Sequence, residues 1–74
     1  MIKEVRINAR MSQSKLSEKS GISIRTLQAY EQGARNINKA DLAILTSIAI
    51  ALDCRITDLL TDPNLIDKCS KTLL

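Results

Sequence analysis

The stretch from Gln13 to Gln32, QSKLSEKSGISIRTLQAYEQ, limits what this chain can become more than any other. Leu16 lies before Gly21, and Ile22, Leu27 and Tyr30 lie after it, at spacings that place apolar side chains on one face of a helix on each side of the glycine. Gly21 stands where the chain must turn through positive φ, which costs glycine little because it has no Cβ. Ser12 and Ser23 are placed to cap the two helices, and Gly33 ends the second as Gly21 ends the first. Helices this short are marginal alone and cannot bury their own apolar faces. The remaining residues must supply the core that holds the pair.

Those residues are patterned for more helix. Ile2 to Arg10 reads as a first helix with Ile2, Val5 and Ala9 on its buried face, and Met11 closes it as a core residue. Asn36-Ile37-Asn38 crosses to a helix over Lys39 to Leu52, where Asn38 and Asp41 form a variant of the capping box. Leu42, Leu45, Ile48, Ala49 and Leu52 share its core stripe, with Ile44 beside the stripe and Ile50 nearly opposite, both surplus to one core. After a connection at Asp53 to Arg55, Ile56 to Leu60 reads as a short fifth helix packing Leu59 and Leu60 inward. Pro63 either stops the chain there or opens a sixth helix with Leu65, Ile66, Cys69 and Leu73 on one face; a frayed tail is the other reading. The apolar fraction of 45% with Tyr30 as the lone aromatic requires an aliphatic core, and β-branched residues do not alternate as in strands. The expected fold is all-α and compact, five helices with a short C-terminal sixth as an option. The expected organisation is one domain over residues 1–62 and a tail or short helix over 63–74.

The inventory of side chains removes several chemistries. Histidine is absent, and Cys54 and Cys69 fit no metal-ligand spacing, so no metal and no cofactor are expected. Without a Gly-rich phosphate loop or a paired-carboxylate arrangement, an enzyme is not expected either. No signal peptide or membrane-length apolar run is visible, which places the chain in the cytoplasm with reduced thiols, Cys54 acting as a small core hydrophobe. The net charge of +3 is uneven: residues 1–40 carry eight Lys and Arg against three acids, and residues 41–74 carry three against five. A basic half that contains the helix pair fits one face made for a polyanion; a solvated mixed surface gives the same count.

Gln13-Ser14-Lys15-Leu16, Gly21, Ser23, Thr26-Leu27, Tyr30-Glu31, Gly33 and later Ile48-Ala49 with Leu52 closely resemble the Cro/cI (XRE, lambda-repressor-like) helix-turn-helix family, from about Ile2 to Leu60. The resemblance implies a five-helix DNA-binding domain whose third helix enters the major groove. By it, Ile24, Arg25, Gln28 and Ala29 occupy base-reading positions. Arg25 can fork to guanine O6 and N7, Gln28 can pair likewise with adenine, and Ile24 can cover a thymine methyl. Gln13, Ser23, Arg35 and Asn36 occupy positions that touch the DNA backbone, with Ser23 also a helix cap. Arg10, Lys15 and Lys19 rank lower, as solvated basic residues. Arg6 and Glu31 match a family ion pair that ties helix one to helix three, a structural role and not an acid–base one.

The chain departs from the family pattern in three ways. No proline stands in the loop from Ala34 to Asn38, serines occupy positions 17 and 20 where small apolar residues are usual, and Ile24 is apolar at a reading position. The function implied is a sequence-specific transcriptional regulator, a repressor, binding double-stranded DNA as a homodimer. Ile44, Ile50, Leu65 and Ile66 are its candidate dimer contacts. The alternative is an antitoxin-type module whose surplus apolar surface covers a toxin-like protein partner, with autoregulatory DNA binding.

Overall fold

The computed structural model describes residues 2–72 and is entirely helical over them. Six α-helices follow in order: α1 (Ile2–Asn8), α2 (Gln13–Ser20), α3 (Ile24–Gln32), α4 (Leu42–Leu52), α5 (Ile56–Leu59) and α6 (Pro63–Lys71). A single 3-10 turn, Ile37–Lys39, lies between α3 and α4. Pro63 thus opens a helix, as its fixed φ and missing N–H favour at a first helical position. Of the residues assigned to one face of this last helix, Leu65, Ile66 and Cys69 are half-buried against the core, and Leu73 lies outside the described residues.

Leu16, Leu27, Ile48, Leu59 and Leu60 form the fully buried centre, joined by Ile2, Ile37, Leu45, Ala49 and Leu52. One cluster therefore draws on every helix through α5, with α4 packed on α2 and α5, α2 on α3, and α1 lying against α3 and α5. The radius of gyration, 11.4 Å, is that of a fully folded chain of this length. Cys54 packs half-buried at the edge of the cluster, where burial, followed by the carboxylates of Asp58 and Asp53, pushes its thiol pKa up.

Local chemistry sets most helix ends. Ser12 Oγ accepts from Lys15 N at 3.0 Å and Ser23 Oγ from Thr26 N at 3.2 Å, while Gly21 and Gly33 adopt φ of +73° and +79°. A Cβ on Gly21 would meet nothing within 4 Å, so only the backbone resists substitution there. Gly21→Ala is expected to lower unfolding stability by about 1 kcal/mol through the left-handed conformation alone. Urea denaturation checks this; a loss several times larger would mean that space, not φ, requires the glycine.

Several sequence-based expectations differ in the structure. Helix α1 ends at Asn8, because Arg10 takes the left-handed conformation (φ +56°), with Met11 N bonded to Arg6 O and Arg10 N to Ile7 O. Ala9 consequently leaves the buried face and is exposed. Helix α4 starts at Leu42, capped by Asp41, whose Oδ1 accepts from Ile44 N at 2.9 Å. Leu42, at the first turn where the stripe runs out from under its neighbours, is 57% exposed and outside the core. Asn38 takes no part in that cap, since its side chain is spent elsewhere. Helix α5 stops at Leu59, leaving Leu60 extended but buried.

Candidate nucleic-acid interface

The turn between α2 and α3 is braced by the two serines that depart from the family pattern. Ser17 Oγ donates to Ile22 O at 2.6 Å, and Ser20 Oγ accepts from Ile22 N at 3.2 Å. Both backbone groups of Ile22 are satisfied inside the turn while its side chain packs against the core. The angle between the two helices is thereby held by hydrogen bonds as well as by packing.

Behind α3, Arg6 and Glu31 form a bidentate pair: Arg6 Nε donates to Glu31 Oε2 at 2.9 Å and Nη2 to Oε1 at 3.0 Å. The side chains are 12% and 3% exposed, and Arg6 Nη1 also donates to Met11 O at 2.9 Å. The hydrogen bonds that Arg6 donates to Glu31 raise the Arg6 pKa further, against the effect of burial, so the guanidinium stays charged. The network continues outward. Gln13 Nε2 donates to Glu31 Oε1 at 3.3 Å, and Gln28 Nε2 donates to Gln13 Oε1 at 3.2 Å. A chain of four side chains thus runs from α1 through α3 to the start of α2 and back to α3.

An amide side chain has two N–H donors and two acceptor lone pairs. Gln13 keeps one N–H uncommitted, and Gln28 keeps one N–H and its Oε1. Arg25 is exposed, and its side chain makes no hydrogen bond or ion pair among the described residues. It sits in the first turn of α3, where a cation opposes the helix dipole and where no acid balances it. Ile24 beside it is 36% exposed, and Ala29 is half-buried. Ser23 Oγ is engaged in the cap, accepting from Thr26 N and bonded to Thr26 Oγ1 at 2.9 Å, whereas its backbone N–H donates to nothing among the described residues.

Past Gly33 the chain passes through exposed Arg35, whose guanidinium carbon lies 6.0 Å from the Tyr30 ring centroid, at the outer limit of a cation–π contact. Asn36 Oδ1 caps the 3-10 turn by accepting from Asn38 N at 3.0 Å. Tyr30, Arg35, Asn36, Ile37 and Thr61 line a shallow groove on this side. Lys15 pairs at 3.9 Å with Glu18 in the open, a contact worth little. The glutamine relay and the Asn36–Asn38 contact were not read from the sequence. The relay had one usable signal: Gln28 and Glu31 are three apart on α3 and so share a face.

Among the described residues no grouping of His, Cys, Asp and Glu could hold a metal ion, and no helix is long and apolar enough to cross a membrane. Comparison with curated proteins finds no match, and neither does comparison with solved structures. The sequence does match the helix-turn-helix family of the Cro/cI (XRE) type over residues 2–59, a span that contains every helix from α1 to α5 and the whole of the braced pair. The chain belongs to that family of DNA-binding transcriptional regulators.

Proposed function

We propose that this protein is a cytoplasmic repressor that binds an approximately two-fold operator as a homodimer and reads it with α3. The observation that carries the reading is the division of labour on α3. Its inner residues, Leu27 and Glu31, are buried in the core and in the ion pair, while Ile24, Arg25 and part of Gln28 are left with unspent chemistry facing away from them. One N–H and Oε1 are what a glutamine needs to pair with adenine N7 and N6, and Gln28 retains both. Arg25 keeps its whole guanidinium fork for guanine, Ile24 offers methyl contact to thymine, and Ala29, half-buried, stands at the edge of this surface.

Phosphate contacts fall to groups with free donors: the remaining N–H of Gln13, the backbone N–H of Ser23, the guanidinium of Arg35 and the amide of Asn36. Two copies suit the geometry of a palindrome. Half-sites one helical turn apart are separated by roughly 34 Å, and the domain is 33 Å along its longest axis. Ile50, 75% exposed, and the outer face of α6 in the 63–74 segment are the contacts favoured for the second copy. Ile44, Leu65 and Ile66 are already half-buried in the core and have less to offer.

Exposed Ile50 and Leu42 also favour a second reading, an antitoxin-type module whose apolar surface covers a toxin-like protein. Selection of binding sites from a random DNA pool separates the two. The repressor reading expects an enriched inverted repeat with half-sites about 10 bp apart. Binding that falls steeply with salt and enriches no motif would reflect phosphate contact alone and would move the function to the protein partner.

A further inference from the structure

The side chain of Asn38 is saturated. Its Oδ1 accepts from Thr61 N at 2.8 Å and Asp62 N at 3.0 Å, and its Nδ2 donates to Thr61 Oγ1 at 2.8 Å and Asn36 Oδ1 at 2.9 Å. One amide therefore ties the loop after α3 to the junction between α5 and α6, more than twenty residues along the chain. Residues 61–62 lie just beyond the segment matched to the family. Asp62 is itself fixed as the cap of α6, with Oδ1 accepting from Asn64 N at 3.0 Å.

The consequence for Asn36 is chemical. Its Oδ1 is taken twice, by Asn38 N and by Asn38 Nδ2, while its own Nδ2 bonds to nothing among the described residues. A free asparagine presents donor and acceptor alike; this one can offer a ligand two N–H donors and little else. A phosphate oxygen is an acceptor only. The loop is thus set for phosphate before DNA arrives, with the side-chain entropy of Asn36 already given up.

We propose that Asn38 is a positioning residue for DNA binding, holding Asn36 in the orientation that presents N–H groups to a backbone phosphate. The inference rests on the reading of Asn36 as a backbone contact. A double-mutant cycle on the affinity for the selected operator tests it, with urea stability measured for each protein. Asn36→Ala should weaken binding about tenfold, the loss of one hydrogen bond to a charged group, and Asn38→Ala about fivefold, because Asn38 N still holds Asn36 Oδ1. Asn38→Ala placed in the Asn36→Ala background should change Kd less than twofold. Thr61→Val, which removes one anchor of Asn38 and leaves the backbone bonds, should weaken binding about two- to threefold in the wild-type background and not at all in the Asn36→Ala background.

Two results overturn the proposal and are told apart by the Asn36→Ala single variant. If that variant binds as tightly as wild type, the backbone-contact reading of Asn36 falls and the role of Asn38 falls with it. If it binds weakly but the Asn38→Ala loss is undiminished in its background, Asn36 contacts DNA and Asn38 does not act through it. A merely structural Asn38 gives that additive pattern.

Discussion

Replacing Glu31 with alanine is expected to lower the unfolding free energy by about 3 kcal/mol, at the low end for breaking a buried ion pair. The carboxylate takes two hydrogen bonds from Arg6 and one from Gln13 in a setting where it is 3% exposed. Without it, the Arg6 guanidinium stays charged, retains only Met11 O, and is 12% exposed to water. The residual exposure of Arg6 is why the figure lies at the bottom of the range. A domain of this size has about 5 kcal/mol to lose, so the variant should retain about 2 kcal/mol, with a few per cent of the molecules unfolded. The double variant Arg6→Met with Glu31→Leu should recover most of the loss, because the pair's net contribution is small once both charges are gone. Urea midpoints for the three proteins decide the matter. A Glu31→Ala midpoint equal to wild type would mean that water reaches the pair and that α1 is not tied to α3 by charge.

That pair illustrates which parts of the molecule could be read in advance. Gly21, Gly33, Ser12 and Ser23 follow rules that act within four residues, and all four do in the structure what the local sequence requires. The core stripe of Leu45, Ile48, Ala49 and Leu52 follows from helical period alone. The end of α1 and the start of α4 do not. Arg10 adopts φ of +56°, and no feature of an arginine in sequence announces a left-handed residue. The carbonyls of Ile7 and Arg6, which accept from Arg10 N and Met11 N, close the helix there. Leu42 fits the α4 stripe by period, yet burial needs a neighbour opposite, and Leu42 is left 57% exposed. Asn38 is the clearest case. Beside Asp41 it reads as part of a local cap, but its actual partners are more than twenty residues away and are known only once the chain has folded. The helix-turn-helix pair is legible from spacing, whereas the polar relay behind it joins side chains of α1, α2 and α3 that only folding brings together.

The largest functional effect is expected at Arg25. In a site selection repeated with Arg25→Ala, one guanine per half-site should lose its preference while the other positions keep theirs. A bidentate arginine–guanine contact discriminates by about 1–3 kcal/mol, and a dimer loses two of them, so Kd for the wild-type operator should rise at least about 30-fold. Folding should not suffer. The Arg25 side chain makes no bond among the described residues and lies in the first turn of α3, where its charge opposes the dipole. Its removal should leave the urea midpoint unchanged or raise it slightly, by a few tenths of a kcal/mol. This separates a reading residue from a structural one. The slope of log Kd against log salt separates base contact from phosphate contact. If Arg25 neutralised a phosphate, the variant would lose affinity on all sequences alike and the slope would drop by about one per half-site. Arg25→Lys sharpens the distinction, since it keeps the charge and loses the planar fork. A base-reading Arg25 therefore predicts that Lys preserves the salt slope while relaxing the guanine preference. A motif that survives Arg25→Ala unchanged would remove Arg25 from the reading surface and leave Gln28 and Ile24 to account for any specificity.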